Sequence, residues 1–232
     1  MAAALRLAVQ FDLHEGIDNH FSYALPDVDD RFLLSPYGFH WSEITASDIL
    51  VVDSEGRVYD GNGEVEASAF CIHSRIHLQH PQARCVLHTH MPYATALALL
   101  EDGRLLPASQ TALMFYGDVA YDDGYNGLGD TLEEGNRMAA CMGDKRVLFL
   151  SGHGVIVTGP SIATAFTGLY YLERACQAQV LAMSTGETLR RITDNIAANT
   201  YGGLSDERVE RADKHFAALK RALDRQDPSY AH

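Results

Sequence analysis

His88-Thr89-His90 closes an apolar run at residues 83–87, Ala-Arg-Cys-Val-Leu. In an extended strand alternate side chains share a face, so His88 and His90 point the same way. Two imidazoles held side by side on a rigid strand make half of a metal site. His153 follows a second apolar run, residues 146–150, inside Ser151-Gly152-His153-Gly154. Glycines on both sides free the backbone to turn sharply there and to aim the ring. Three histidines on two strand ends leave an open coordination position, which is the arrangement of a catalytic zinc site. The alternative is a set of buried histidines held by hydrogen bonds, with no metal. A further group, His73, His77 and His80, falls on one stripe at helical spacing. It reads as a half-solvated face or as a second metal site.

The elements that must carry these residues follow from periodicity and turn chemistry. A short packing helix opens the chain over residues 1–9, and a polar turn at residues 16–19 enters a strand. Residues 31–34 form a strand ending in the turn Ser35-Pro36-Tyr37-Gly38. Residues 49–53 and 57–59 pair as a hairpin. A helix over residues 68–79 stops before Pro81 and leads to the His88 strand. Beyond it come a helix at 92–100 and a strand at 117–121. The Asp122-Asp123 pair reads as a solvated loop. Thr131 and Glu134 form a capping box for a helix that stops at Gly143. The His153 turn joins strands at 146–150 and 155–157. The longest helix runs over residues 161–184. A last amphipathic helix is expected from Ser205 to about residue 225, with Val209, Ala212, Phe216, Leu219 and Leu223 inward, and a loose end from Gln226. Strands and helices alternate with no repeat or linker. The expectation is one α/β domain over residues 1–232, with a central mixed sheet and helices on both faces. No glycine-rich phosphate loop follows the first strand, so no dinucleotide site is expected.

Composition bounds the function. The chain has 232 residues, 47% of them hydrophobic, enough to bury one substantial core. Its net charge is −13 and its lysines and arginines are not clustered, which argues against nucleic-acid binding. No apolar stretch is long enough to span a bilayer, so no membrane association is expected. Cys71, Cys85, Cys141 and Cys176 have neither zinc-knuckle nor redox-pair spacing. Without a signal-peptide pattern, the expected location is the cytoplasm.

These motifs, taken in order, resemble the class II aldolases together with the adducin head domain. His88-Thr89-His90-Met91-Pro92-Tyr93-Ala94-Thr95-Ala96 is similar to the family's zinc-binding segment, and Ser151-Gly152-His153-Gly154-Val155 to its third-histidine segment. Asn19-His20-Phe21-Ser22 and Ser35-Pro36-Tyr37-Gly38 resemble two substrate loops, and Gly117-Asp118-Val119 a strand between them. The likeness runs over residues 11–186. It implies a three-layer α/β/α domain with a largely antiparallel sheet. It also implies a divalent metal on His88, His90 and His153, usually zinc, with iron or manganese as other occupants. A homo-oligomer is implied as well, a cyclic tetramer with active sites between subunits. In such aldolases the metal polarises carbonyl and enediolate oxygens, and a glutamate before a helix acts as the base.

The chain departs from that pattern at the base. Aligned through Phe70 and His73, Ala69 stands at the glutamate and Ala67 at a phosphate-binding serine. Tyr37 is bulky where phosphate would sit, and Gln110 falls near an acid tyrosine. Alanine can neither accept a proton nor bind a metal. The departures lean toward the adducin-like branch, which also lacks the glutamate and is non-catalytic in its cytoskeletal members. Glu66 is a possible substitute base, three residues early on a different heading. The resemblance implies Asn19, Ser35, Gly38 and Ser68 as the substrate side of the pocket, although turn chemistry alone also accounts for them. His20 and Tyr37 are the candidate catalytic groups. The leading expectation is a metal-dependent lyase acting by retro-aldol cleavage or decarboxylation on a small, non-phosphorylated carbonyl or carboxylate compound. The alternatives are an adducin-like binding module with a vestigial pocket, and a non-heme iron oxygenase.

Overall fold

Side chains alternate along each strand, and in the central strands Cys85–Thr89, Val147–Leu150 and Gly154–Gly159 the residues of both faces are buried. The computed structural model describes residues 1–26, 28 and 30–232. Its strands are β1 (His20–Ala24), β2 (Arg31–Leu34), β3 (Leu50–Asp53), β4 (Val58–Asp60), β5 (Cys85–Thr89), β6 (Val119–Asp122), β7 (Val147–Leu150) and β8 (Gly154–Gly159). They form one sheet in the order β4-β3-β2-β1-β5-β8-β7-β6. Neighbours are antiparallel except β6 and β7, which are parallel. The expected largely antiparallel mixed sheet is therefore present.

Helices cover both faces. On one, α1 (Ala2–Gln10), α3 (Pro92–Ala98), α5 (Ile162–Met183) and α7 (Arg208–Gln226) pack around Leu5, Phe21, Leu87, Val157, Phe166 and Leu169. On the other, α2 (Ala67–Gln79) and α4 (Leu132–Met142) bring Ile72, Ile76 and Met138 onto Val86, Leu148 and Ile156. Each such fully buried side chain contributes roughly 1.5–3 kcal/mol of transfer free energy. No helix among the described residues is long and apolar enough to cross a membrane.

The C-terminal region differs from the sequence expectation. A helix, α6 (Asp194–Asp206), precedes the last one, which begins at Arg208 and not at Ser205. Only Ala197 of α6 is buried, and Gly202-Gly203 interrupts any apolar stripe, so periodicity does not reveal it. In α7, Ala212 and Leu223 are buried as expected, whereas Val209 is exposed. Nor is the end loose. Residues Pro228–Ala231 form a 3-10 turn that buries Tyr230, and the His232 carbonyl accepts from Ser47 N at 2.9 Å. Asp122 is not solvated either: Arg137 grips both its oxygens, at 2.7 and 2.6 Å. Tyr230→Ala is expected to cost about 1–3 kcal/mol in urea denaturation, whereas an end that made no packing contribution would leave the midpoint unchanged.

Candidate metal centre

Strand register gathers the histidines at one end of the sheet. β1 pairs with β5 so that His20 lies directly opposite His88. Directly opposite residues share a face, and the two rings have centroids 4.7 Å apart. His90 follows β5 by one residue on the His88 face, as the alternation predicts. A cap holds the chain there: Glu173 of α5 accepts from Tyr93 N at 2.8 Å and Ala94 N at 2.9 Å, fixing the start of α3.

His153 arrives through the turn between β7 and β8. Gly152 has φ +69°, a conformation that favours glycine. Gly154 is needed for a different reason. A Cβ there would lie 2.6 Å from the Thr89 carbonyl oxygen and 2.8 Å from the His90 ring. The close approach it permits brings the His153 ring centroid to 4.8 Å from that of His88 and 4.7 Å from that of His90. One ring nitrogen from each of the three lies within 4.8 Å of the others.

The donor set fits a divalent metal. His88 Nδ1 lies 3.0 Å from the Val155 carbonyl oxygen, which can only accept, so Nδ1 carries the proton. His90 Nδ1 lies 2.7 Å from Glu15 Oε2 and donates likewise. In the neutral form that metal ligation requires, both Nε2 atoms carry lone pairs, and the two atoms face each other at 3.1 Å. Two facing lone pairs repel, and a shared cation makes the arrangement favourable. The carbonyl and the carboxylate are the outer partners that ligating histidines ordinarily have.

Burial favours the unprotonated form of His88 and His153, as metal ligation requires. The His88 pKa is pushed well below its ordinary value, first by burial and then by His20, His153 and His90. That of His153 is lowered to about 4 by burial and by His90. His20 is lowered to about 3, chiefly by burial, against a raising effect from Glu66.

The loop residues are placed unevenly. Asn19 is buried and bonded to backbone on all sides: its Oδ1 accepts from Glu15 N at 2.6 Å and His90 N at 3.4 Å, and its Nδ2 donates to the Asp18 carbonyl at 3.0 Å. It thereby ties the Glu15 turn to His90. Ser35 is buried and accepts from Phe21 N at 3.3 Å. Gly38 has φ +85° with open space where a Cβ would stand. Tyr37 is 39% exposed and bridges Glu64 through its backbone. Gln110 is exposed. Ser68 Oγ stands 3.4 Å from His20 Nε2.

Three features of α2 were not legible in the sequence. His73 and His77 do not form a half-solvated face. His73 is fully buried, and both rings turn inward toward Ser22 of β1. Ala69, Ile72, His73 and Ile76 occupy positions i, i+3, i+4 and i+7, the signal that His73 belongs to the buried stripe. His80 separates from them and bonds the Ala139 carbonyl at 2.8 Å. Second, Ala69 is buried in an apolar cluster with Phe32, Leu34, Leu50 and Val52. Third, Glu66 folds back as the N-cap of α2, accepting from Ser68 N and Ala69 N, and its Oε2 comes within 3.9 Å of His20 Nε2.

A mixed sheet between two helical layers, with histidines gathered at the ends of its central strands, defines the class II aldolase fold. The chain belongs to the Class II Aldolase and Adducin N-terminal domain family, whose profile matches residues 1–180. It is similar to an aldolase II superfamily protein from Pseudomonas syringae, at 35% identity and TM-score 0.92, over 99% of this chain and 92% of that one. It also resembles the L-fuculose 1-phosphate aldolase of Glaciozyma antarctica, at 27% identity and TM-score 0.86, over 100% of this chain and 90% of that one. Human beta-adducin is 31% identical over 89% of this chain, which spans 30% of that protein.

Two outcomes are expected. Gly154→Ala forces β8 away from Thr89 and His90, so zinc retained after gel filtration should fall below that of the unaltered protein; full retention would contradict the close-approach argument. The second concerns pH. The His77 ring is held to about 4 by burial, against an ordinary 6.5. Between those values the unfolded chain binds more protons, so stability is full above the upper value and is lost as pH falls toward the lower. The melting temperature should decline across that window, and His77→Gln should flatten the decline.

Proposed function

We propose that this protein is a metal-dependent lyase that breaks a carbon–carbon bond beside a carbonyl in a small, non-phosphorylated hydroxy- or oxo-acid-type compound. The observation that carries this reading is the approach of His88 Nε2 and His90 Nε2 to 3.1 Å, with His153 beside them. Those three residues would hold the ion. Nitrogen donors with an open position suit zinc, and also iron or manganese. When bound, the metal supplies Lewis-acid stabilisation of negative charge developing on a carbonyl oxygen.

His20 is the candidate proton-transfer group in place of the missing glutamate. Its ring is buried against His88, and the Glu66 carboxylate stands 3.9 Å from Nε2, where it stabilises a proton gained there. In a retro-aldol cleavage, Nε2 takes the substrate hydroxyl proton as the carbon–carbon bond breaks. The bond's electron pair passes to the α-carbon, and the proton returns to that carbon. In a decarboxylation carbon dioxide leaves, and His20 relays a proton from water to the α-carbon. Preference for a non-phosphorylated substrate is supported by Ala67, by the bulk of Tyr37 and by the absence of lysine and arginine from residues 35–42. Asn19 positions His90, and Ser68 flanks His20. The working unit in this proposal is a homo-oligomer, a tetramer by family likeness.

A second reading, a non-catalytic adducin-like module, is favoured by Ala69, which removes the family's base. Elemental analysis with a screen of carbonyl and 2-oxo acid substrates separates the two. The lyase reading expects about one metal per chain, loss of metal and turnover in His90→Ala, and a drop of about 10²–10⁴-fold in kcat for His20→Gln with metal retained. Metal-free protein, or a His90→Ala variant as active as the parent, would defeat it. The same analysis separates zinc from the iron that an oxygenase would need.

A further inference from the structure

We infer that His73, Ser22 and His77 form a hydrogen-bonded chain that fixes the tautomer of His20 and leaves its Nε2, beside the Glu66 carboxylate, without a proton. β1 places His20 and Ser22 two residues apart on one face, and α2 places His73 and His77 one turn apart against them. His20, Ser22 and His73 are each at most 4% exposed, so their polar atoms must find partners within the protein.

The direction of every bond follows from one carbonyl. His77 Nδ1 lies 3.0 Å from the Ala83 carbonyl oxygen, which accepts only, so His77 is protonated at Nδ1. In the neutral ring Nε2 must then accept, and the Ser22 hydroxyl donates to it at 2.7 Å. Ser22 has no second proton, so its oxygen accepts from His73 Nδ1. His73 Nε2 is left as an acceptor, and His20 Nδ1 donates to it at 2.7 Å. His20 therefore has its proton on Nδ1 and a lone pair on Nε2. Ser68 cannot fill that lone pair, because its hydroxyl donates to Glu66 Oε2 at 2.5 Å. The reverse direction would set a bare His77 Nδ1 against the Ala83 carbonyl, two acceptors face to face. A charged ring would permit other patterns, but burial lowers the pKa of all three imidazoles.

His73, Ser22 and His77 are thus positioning residues. They would hold His20 in the form that accepts a substrate proton, which suits retro-aldol cleavage of a β-hydroxy carbonyl compound. That consequence rests on the lyase reading, whereas the tautomer does not.

Long-range proton–nitrogen correlation spectra of ¹⁵N-histidine-labelled protein test it, recorded at neutral pH with and without zinc. Signals are assigned through His20→Gln, His73→Gln and His77→Gln. The expected result is an Nδ1–H tautomer at all three rings. In Ser22→Ala, His77 keeps that form while His73 and His20 populate both tautomers, and Ser22→Thr restores them. Where a substrate is turned over, Ser22→Ala lowers kcat about 10- to 100-fold, the scale of losing a group that orients a functional histidine, and Ser22→Thr recovers it. An Nε2–H His20 in the unaltered protein would overturn the inference, as would a folded Ser22→Ala with His73 and His20 unchanged. If Ser22→Ala does not fold, the unaltered protein and Ser22→Thr decide. A locked tautomer without turnover of any carbonyl substrate removes the lyase reading and leaves the chain of bonds standing.

Discussion

β5 has a strand on each edge, and its register with both decides where four imidazoles meet. Pairing with β1 sets His20 opposite His88, and pairing with β8 brings the His153 turn beside His90. A slip of one residue on either edge would send the paired side chains to the opposite face. That register is held by apolar packing on both sides of the strand, with Cys85 and Leu87 in one core and Val86 in the other. The cores lie away from the histidines, yet they fix where the rings meet. Gly154 completes the geometry, because the end of β5 and the start of β8 approach more closely than any side chain at that position allows.

Backbone carbonyls set the proton positions in this arrangement. Val155 O sets the proton position on His88, and Ala83 O sets it on His77. A carbonyl cannot change from acceptor to donor, so it serves as a fixed reference for rings that otherwise have two neutral forms. On one branch the outcome, in the neutral rings, is a lone pair directed at a second lone pair, which a cation would reconcile. On the other it is a lone pair on His20 beside the Glu66 carboxylate. In the proposed lyase, His20 would serve as the base that Ala69 cannot be. The Glu66 carboxylate caps α2 and lies 3.9 Å from His20 Nε2, and the His20 ring packs against His88.

The part of the site legible in the sequence was the part encoded locally. Alternation placed His88 and His90 on one face, and Gly152 marked the turn at His153. The sheet with helices on both faces followed from the order of apolar runs. What escaped depends on packing between distant segments. Nothing near His73 or His77 announces that β1 will supply a serine and a histidine as partners, and polar residues on a helix ordinarily face water. Glu66 was legible as a carboxylate three residues early, but not as a cap bent back over Ala69. α6 was hidden because it buries only Ala197, and the C-terminal turn because Tyr230 finds its cover in residues far away in the chain. Asp122 read as solvated for the same reason, since its partner Arg137 lies on the following helix.

Convergence of the three histidines suits them to hold an ion. Crystals grown with zinc, and measured on both sides of the zinc absorption edge, test it most directly. One anomalous peak per chain is expected, about 2.0–2.1 Å from an imidazole nitrogen of each of His88, His90 and His153. A peak elsewhere with these rings unliganded, or none at saturating zinc, would contradict it.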